Sequence, residues 1–174
     1  MTTLRRFTCH DLFNISNVNL DYYTETYQFP FYLQYLTQWP EYCFLASSAS
    51  GRPEGYVFGK AEGVGRAWHG HVTAVTVAPE ARRQGLAGRL MGVLEDVTEK
   101  QHDAYFVDLF VRASNTTAIG MYRKLGYSTH KRVLRYYSGS EDALDMRKAM
   151  LRDVDKQSVV PLGRDIHVWE LEHD

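Results

Sequence analysis

Three observations predict a single α/β domain with a central mixed, mostly antiparallel sheet flanked by helices. The chain has 174 residues, 44% hydrophobic and 24% charged, a balance suited to one compact domain that can bury a core. The first half carries apolar, strand-like segments separated by Gly- and Pro-containing turns, the pattern of antiparallel hairpins. From "AWHGHVTAVTVAP" onward, strand-like and helix-like segments alternate. No internal repeat, linker or second domain interrupts them. The domain is expected over residues 1–161, with 162–174 as a mobile or partner-bound tail.

The elements follow in order. "LRRFTCHDLF" predicts a short strand, about Thr3 to Thr8, turning into a helix near Asp11. Asn14, Asn17 and Asn19 break that helical pattern early. "TETYQFPFYLQYLTQWP" predicts a loop and a helix, with Pro30 suited to its first turn and Pro40 beyond its end. Phe31, Leu33, Tyr35 and Leu36 cover more than one face of this helix, through packing on the domain or against a partner. Three strands are expected in "EYCFLASS", "EGYVFGKAEG" and "AWHGHVTAVTVAP", then an amphipathic helix through Leu86, Leu90 and Leu94. "AYFVDLFVRAS" reads as a strand and "NTTAIGMYRKLGY" as a helix closed by Gly126, since a left-handed cap favours glycine. "STHKRVLRYYS" and "ALDMRKAM" read as strands, the second with a short helix as the alternative.

Charge excludes some function classes. With 20 basic and 21 acidic residues, no global field draws in nucleic acid or membrane, so an anion site has to be local. No apolar run approaches the roughly 20 residues that span a bilayer. The start "MTTLRRFTCHDLF" has no h-region, although Arg5 and Arg6 give it a faint transit-like character. Cys9 and Cys43 stand among apolar residues and are expected as reduced core positions of a cytoplasmic protein.

The local anion site is expected in "VAPEARRQGLAGRL". A strand ends, two arginines and two glycines follow, and a helix begins. The first backbone N–H groups of a helix lack intrahelical partners, and its dipole adds about half a positive charge there. Gly85, Ala87 and Gly88 leave the backbone accessible, and Arg82 and Arg83 add full charges on the approach. A charged, solvated helix start is the plain alternative.

Arg82-x-x-Gly85-x-Ala87, between an apolar strand and an amphipathic helix, resembles the pyrophosphate-binding signature of the Gcn5-related N-acetyltransferase (GNAT) superfamily. The resemblance implies the GNAT fold and acetyl-coenzyme A as cosubstrate. It implies that Arg82, Arg83, Gln84, Gly85, Leu86, Ala87 and Gly88 hold the diphosphate. It also implies that the strand ending near Val77 splays from Tyr105–Val111, so that backbone groups of Val75 and Val77 bind the pantetheine arm. "NTTAIGMYRKLGY" is similar to a second element of the superfamily. Its Asn115 and Tyr122 are about two helical turns apart and can face one groove. A helix cap for Asn115 and a half-buried aromatic for Tyr122 are the alternatives.

Further stretches, "LTQWPEY", "GKAEG", "WHGHVTAVTVAPEARRQGLA", "FVDLFVRASN" and "YYSGSEDALDMRKAM", together look like the catalytic-subunit family of N-terminal acetyltransferase B (NatB), from Met1 to about Pro161. This likeness implies acetylation of the α-amino group of Met-Asp, Met-Glu, Met-Asn and Met-Gln N-termini during synthesis. It implies a helical-repeat auxiliary subunit that reaches the ribosome, with no direct contact to nucleic acid or membrane. Glu25, Tyr27 and Phe31 would form one wall of the peptide entrance, with Tyr136 and Tyr137 opposite. His71 and Thr73 would meet the second residue of the substrate. "FNISNVNLDYY" and "TETYQFP", where the auxiliary subunit would bind, and the tail after Pro161 depart from the family pattern.

The chemistry implied is direct transfer. A neutral α-amine, of reference pKa about 8, attacks the thioester. Water held by Tyr137 and His71 takes the proton, Tyr122 donates to the departing sulfur, and a backbone N–H near Val75 supports the oxyanion. His69 and His71 share one strand face and His-x-His can bind metal, but no third ligand stands at a persuasive spacing, so no metal is expected. A surface histidine pair is the plain reading. Two other functions stay open: acetylation of lysine or a small amine, and a non-catalytic paralogue that binds acetyl-coenzyme A.

Overall fold

Along the sheet, eight strands follow the order β1-β2-β3-β4-β5-β7-β6-β8 in a computed structural model that describes residues 1–20 and 25–173. The strands are β1 Thr3–Arg6, β2 Phe44–Ser47, β3 Pro53–Glu62, β4 His69–Val77, β5 Phe106–Arg112, β6 Ser128–Tyr137, β7 Glu141–Ala149 and β8 Ile166–His167. Three α-helices accompany them: α1 Phe29–Gln38, α2 Leu86–Lys100 and α3 Thr116–Lys124. The sheet is mixed as expected, with β6 and β8 parallel and β1/β2, β2/β3, β5/β7 and β6/β7 antiparallel. Two compact units make up the chain: residues 1–60 with 72–97, and residues 61–71 with 98–174.

The first unit is built on aromatic packing. Phe58 of β3 meets Phe7 at 4.8 Å and Tyr32 of α1 at 5.3 Å, ring centre to ring centre. Helix α1 carries Pro30 in its first turn, where no intrahelical N–H is needed, and stops before Pro40. Helix α2 buries Leu86, Leu90, Met91, Leu94 and Val97, one face of a 3.6-residue repeat. Gly55 permits a close approach: a Cβ there would lie 2.8 Å from the Thr76 carbonyl oxygen and 3.3 Å from Leu90 Cδ1. Any side chain at Gly55 would push the end of β4 or α2 outward.

β1 is shorter than its sequence suggested and ends at Arg6. Residues Cys9–Phe13 form a 3₁₀ turn, because Asp11 reaches back to accept from the Thr8 N–H at 2.8 Å. Arg5 grips the same carboxylate with two bonds of 2.8 Å, which holds Asp11 below the usual carboxylate range. This turn buries Asp11 and Leu12 and leaves Cys9 exposed, so the expectation of a core Cys9 is corrected. Cys43 is buried, and burial pushes its thiol up to about 12. Residues 21–24, within the stretch that departs from the family pattern, lie outside the described residues.

In the second unit, β7 pairs with both β5 and β6, which settles "ALDMRKAM" as strand. Helix α3 ends at Gly126, whose φ of +99° is the left-handed cap. Residues 162–173, expected as a mobile or partner-bound tail, make contacts within the chain itself. Ile166 pairs with Val133 in parallel and is buried against Val133 and Ala143. The Leu162 N–H donates to the His130 carbonyl at 2.8 Å, and Arg164 pairs with Glu170 at 2.9 Å. A two-residue strand is too short to leave a periodic signature. Among the described residues, no helix is long and apolar enough to cross a membrane.

Candidate active site

The loop from β4 to α2 has the conformation its composition suggested. A 3₁₀ turn, Pro79–Ala81, is followed by Arg82 in extended backbone, then by Arg83 at φ +63° and Gly85 at φ +71°. Two left-handed residues in so short a stretch turn backbone N–H groups toward a common side, the geometry of anion-binding concavities. The Gly85 carbonyl accepts the first helical bond of α2, from the Arg89 N–H at 3.1 Å. The N–H groups that follow Gly85 therefore belong to the unpaired first turn of a 15-residue helix. A Cβ at Gly85 would meet nothing within 4 Å, so open space lies over the backbone there. These features suit a diphosphate. Arg82 to Gly85 are exposed, Leu86 is buried, and Ala87 and Gly88 are half-buried.

Strand β4 supplies the residues next to this loop. Val75 and Val77 are half-buried, with Thr76 between them pointing inward. The Val77 carbonyl already accepts from Arg82 Nε at 3.2 Å. A pantetheine arm would therefore meet Val77 through its N–H or by displacing that guanidinium.

The aromatic residues near α1 form a second group. Tyr27 stacks on Phe31 at 4.2 Å, and Phe31 meets Tyr35 at 4.9 Å. Thr73 donates to the Tyr35 hydroxyl at 2.7 Å, which joins Thr73 to this wall. Glu25 is exposed. Tyr35 was absent from the residues singled out by sequence, where it reads only as an apolar helix position.

On α3, Asn115 acts as a helix cap, its Oδ1 accepting from the Ala118 N–H at 3.2 Å. Tyr122 is buried, and burial pushes its phenol well above the ordinary value. A tyrosine so placed keeps its proton at any physiological pH.

His71 and the strand-end tyrosines come together in the second unit. The His71 ring lies 5.7 Å from Phe110, Phe110 stacks on Tyr136 at 5.0 Å, and Tyr136 meets Tyr137 at 4.9 Å. Consecutive strand residues ordinarily point to opposite faces. A register shift between Val133 and Tyr137, with Arg135 at φ +53°, re-aims Tyr136 and Tyr137. Asp142 holds this bulge by accepting from the Arg135 N–H at 2.9 Å and from Arg132 Nε at 2.8 Å. Arg112 lies over the Tyr137 ring at 4.3 Å and pairs with Glu141 at 3.0 Å.

Behind His71 stands Asp108, which sequence reading did not single out. Its Oδ1 is 2.7 Å from His71 Nδ1 and 3.4 Å from His69 Nε2. Burial works against the Asp108 carboxylate, but His71, His69 and Arg147 outweigh it and hold Asp108 below the usual range. Asp145 is the opposite case: burial, and then the charge of Asp108, raise it despite Arg147 and Lys131. The signal for Asp108 was present as the lone acid inside the apolar strand "FVDLFVR". Glu62 is a further residue that spacing did not suggest, with ligand-capable atoms of Glu62, His69 and His71 within 4.8 Å of one another. Three of the four ring nitrogens meet protein groups: Nδ1 of His69 meets the Ala67 carbonyl, Nε2 of His69 meets Glu62 and Asp108, and Nδ1 of His71 meets Asp108. That pattern links two histidines and two acids, through the His71–Asp108 hydrogen bond and longer contacts of His69 at 3.4 and 3.6 Å.

Comparison with known proteins shows the family. Residues 11–127 match the family model described as Acetyltransferase (GNAT) family. The chain is 62% identical over 167 residues to the N-alpha-acetyltransferase 20 of Dictyostelium discoideum, covering 96% of each chain. It is 61% identical over 174 residues to the N-terminal acetyltransferase B complex catalytic subunit NAA20 of Arabidopsis thaliana, covering 100% of both. Among solved structures, Chaetomium thermophilum Naa20 in complex with a bisubstrate analogue superposes with a TM-score of 0.88 at 42% identity, covering 95% of this chain and 96% of that one. The NatB acetyltransferase complex bound to a bisubstrate inhibitor gives a TM-score of 0.86 at 37% identity, covering 97% and 98%. The chain therefore belongs to the acetyltransferase (GNAT) family, and within it to the group of NatB catalytic subunits.

Proposed function

We propose that this chain transfers acetyl from acetyl-coenzyme A to the α-amino group of proteins beginning Met-Asp, Met-Glu, Met-Asn or Met-Gln. On this reading it works in the cytoplasm during protein synthesis, with a helical-repeat auxiliary subunit that brings it to the ribosome. It touches neither nucleic acid nor membrane directly. The observation that carries the reading is 61% identity, end to end, with a NatB catalytic subunit. On this reading the catalytic domain spans residues 1–161, and the segment that follows adds β8 to its sheet.

Each part of the chain has a task in this reaction. The Arg82–Gly88 backbone and its arginines hold the diphosphate, and Gly85 keeps side-chain atoms away from it. Val75 and Val77 align the pantetheine arm, with Asn115 and Tyr122 also contacting the cosubstrate. Tyr27, Phe31, Tyr136 and Tyr137 enclose the first residues of the peptide in rigid apolar walls with polar tips, and Glu25 meets the incoming amine. His71 and Thr73 meet the second side chain. The amine loses its proton to water held by His71 and Tyr137, a modest demand because its own pKa is about 8. Tyr122, protonated because it is buried, donates to the departing sulfur, and a backbone N–H at Val75 supports the oxyanion.

A peptide panel varying the first two residues, assayed with and without the auxiliary subunit, tests this function. Acetylation confined to Met followed by Asp, Glu, Asn or Gln is expected. Acetylation of lysine side chains or small amines with α-amines untouched would replace this reading with the other enzyme reading. Cosubstrate binding without turnover on any peptide would make the chain a non-catalytic paralogue.

A further inference from the structure

We propose that Asp108 fixes the tautomer of His71 and thereby makes the choice between acidic and amide second residues depend on pH. The inference deepens the function proposed above and rests on its assignment of His71 to the second residue of the substrate.

A carboxylate only accepts hydrogen bonds. With Asp108 Oδ1 2.7 Å from His71 Nδ1, the proton on the neutral ring sits on Nδ1. Asp108 is almost fully buried, and Arg147 pairs with its neighbour Asp145 at 3.2 Å, so this carboxylate is held in place. Nε2 is then the nitrogen left to meet a substrate, and in the neutral ring it only accepts. The Asp or Glu side chain of a substrate also only accepts. The two can bond only after the ring takes a second proton at Nε2, becoming an imidazolium between two carboxylates. Asn and Gln side chains both donate and accept. They can donate an N–H to neutral Nε2, or turn over and accept from the protonated ring. Recognition of acidic second residues is therefore coupled to uptake of one proton, and recognition of amides is not.

The charged groups around His71 come from five strands, its own included. Glu62 lies on β3, His69 on β4 itself, Asp108 on β5, and Asp145 and Arg147 on β7. Lys131 of β6 pairs with Asp145 at 3.9 Å. Histidine is the side chain whose charge ordinarily changes near neutral pH, so the experiment spans that range.

The test uses the complex with its auxiliary subunit and two peptides, Met-Glu and Met-Gln, otherwise identical. The kcat/KM of each is measured from pH 6 to 9. Titration of the α-amine and of any shared base acts on both peptides and cancels in their ratio. The Met-Glu to Met-Gln ratio is expected to fall with rising pH, approaching about tenfold per pH unit on the alkaline side, the slope of a single linked proton. In Asp108→Asn, an amide can pair with either tautomer, so His71 can donate from Nε2 without a second proton and the slope should flatten. His71→Gln, which does not titrate and leaves Asp108 in place, should flatten it as well, and it serves if the Asp108 variant fails to fold.

A wild-type ratio constant with pH, with both peptides still preferred over Met-Leu, would overturn the tautomer inference and leave the proposed function standing. A falling ratio unchanged in His71→Gln would place the proton elsewhere and also overturn it. If neither Met-Glu nor Met-Gln is preferred over Met-Leu, the assigned specificity fails first and the inference falls with it.

Discussion

The loop that opens α2 and the cluster around Asp108, the two regions to which we assign function, are built in opposite ways. The loop is one continuous stretch, Pro79 to Gly88, and acts chiefly through backbone: left-handed Arg83 and Gly85, then unpaired helical N–H groups. The cluster takes its residues from β3, β4, β5, β6 and β7 and acts through side chains, several of them buried and charged. A backbone site suits a ligand that never changes, such as a diphosphate. A side-chain site can be tuned for discrimination among acceptors. The two should therefore fail differently when mutated, the loop through cosubstrate affinity and the cluster through selectivity and pH response.

The largest effect is expected at the loop. Gly85→Asp places a carboxylate over the site, where a Cβ meets no neighbour within 4 Å but the left-handed backbone strains any side chain, Asp less than most. Two like charges about 4 Å apart repel by roughly 4 kcal/mol in a partly solvated setting, so affinity for acetyl-coenzyme A should drop on the order of a thousandfold. Calorimetric titration of the folded variant checks this, and unchanged affinity would remove the diphosphate from this loop.

Next comes Tyr122→Phe, which keeps the buried ring and removes the hydroxyl. Turnover should fall about a hundredfold with little change in cosubstrate affinity. Near-normal turnover would leave Tyr122 as packing alone.

In the cluster, His71→Ala should lower kcat/KM for Met-Glu about ten- to a hundredfold relative to Met-Leu, because the substrate acceptor is left without a donor. Equal losses on both peptides would confine the histidine to the proton relay or to packing and take the second-residue preference away from it. The smallest effect concerns His69. Burial pulls this ring down, but hydrogen bonding to Glu62 and the charge of Asp108 outweigh burial and hold it above its ordinary value. Its contribution to stability is complete below the unfolded value of about 6.5 and is lost as pH rises through the folded one. Urea unfolding at successive pH values should show His69→Gln flattening that decline by less than about 1 kcal/mol. A decline unchanged in the variant would assign it to another group.

The same contrast explains what the sequence made legible. The loop, α2 and the Gly126 cap announce themselves by local rules of backbone conformation and periodicity, so they could be read in advance. Glu62 could not, and Asp108 stood out only as a lone acid in an apolar strand, because their meaning depends on which strands are neighbours, and that information is non-local. Tyr136 and Tyr137 were named, but the bulge at Arg135 that re-aims them leaves no mark in composition. Cys9 misled for a related reason: apolar neighbours suggested the core, while the Thr8–Asp11 bond wound a turn that faces it outward. The short strand Ile166–His167 was hidden by its length.

The most direct test of the central claim uses one peptide that begins Met-Glu and carries an internal lysine, so that both kinds of amine compete in the same tube. The complex and acetyl-coenzyme A are added, and fragment-ion mass spectrometry locates the acetyl group over the first turnovers. The prediction is acetyl on the α-nitrogen with the lysine unmodified. Acetylation of the lysine at an equal or greater rate would contradict it.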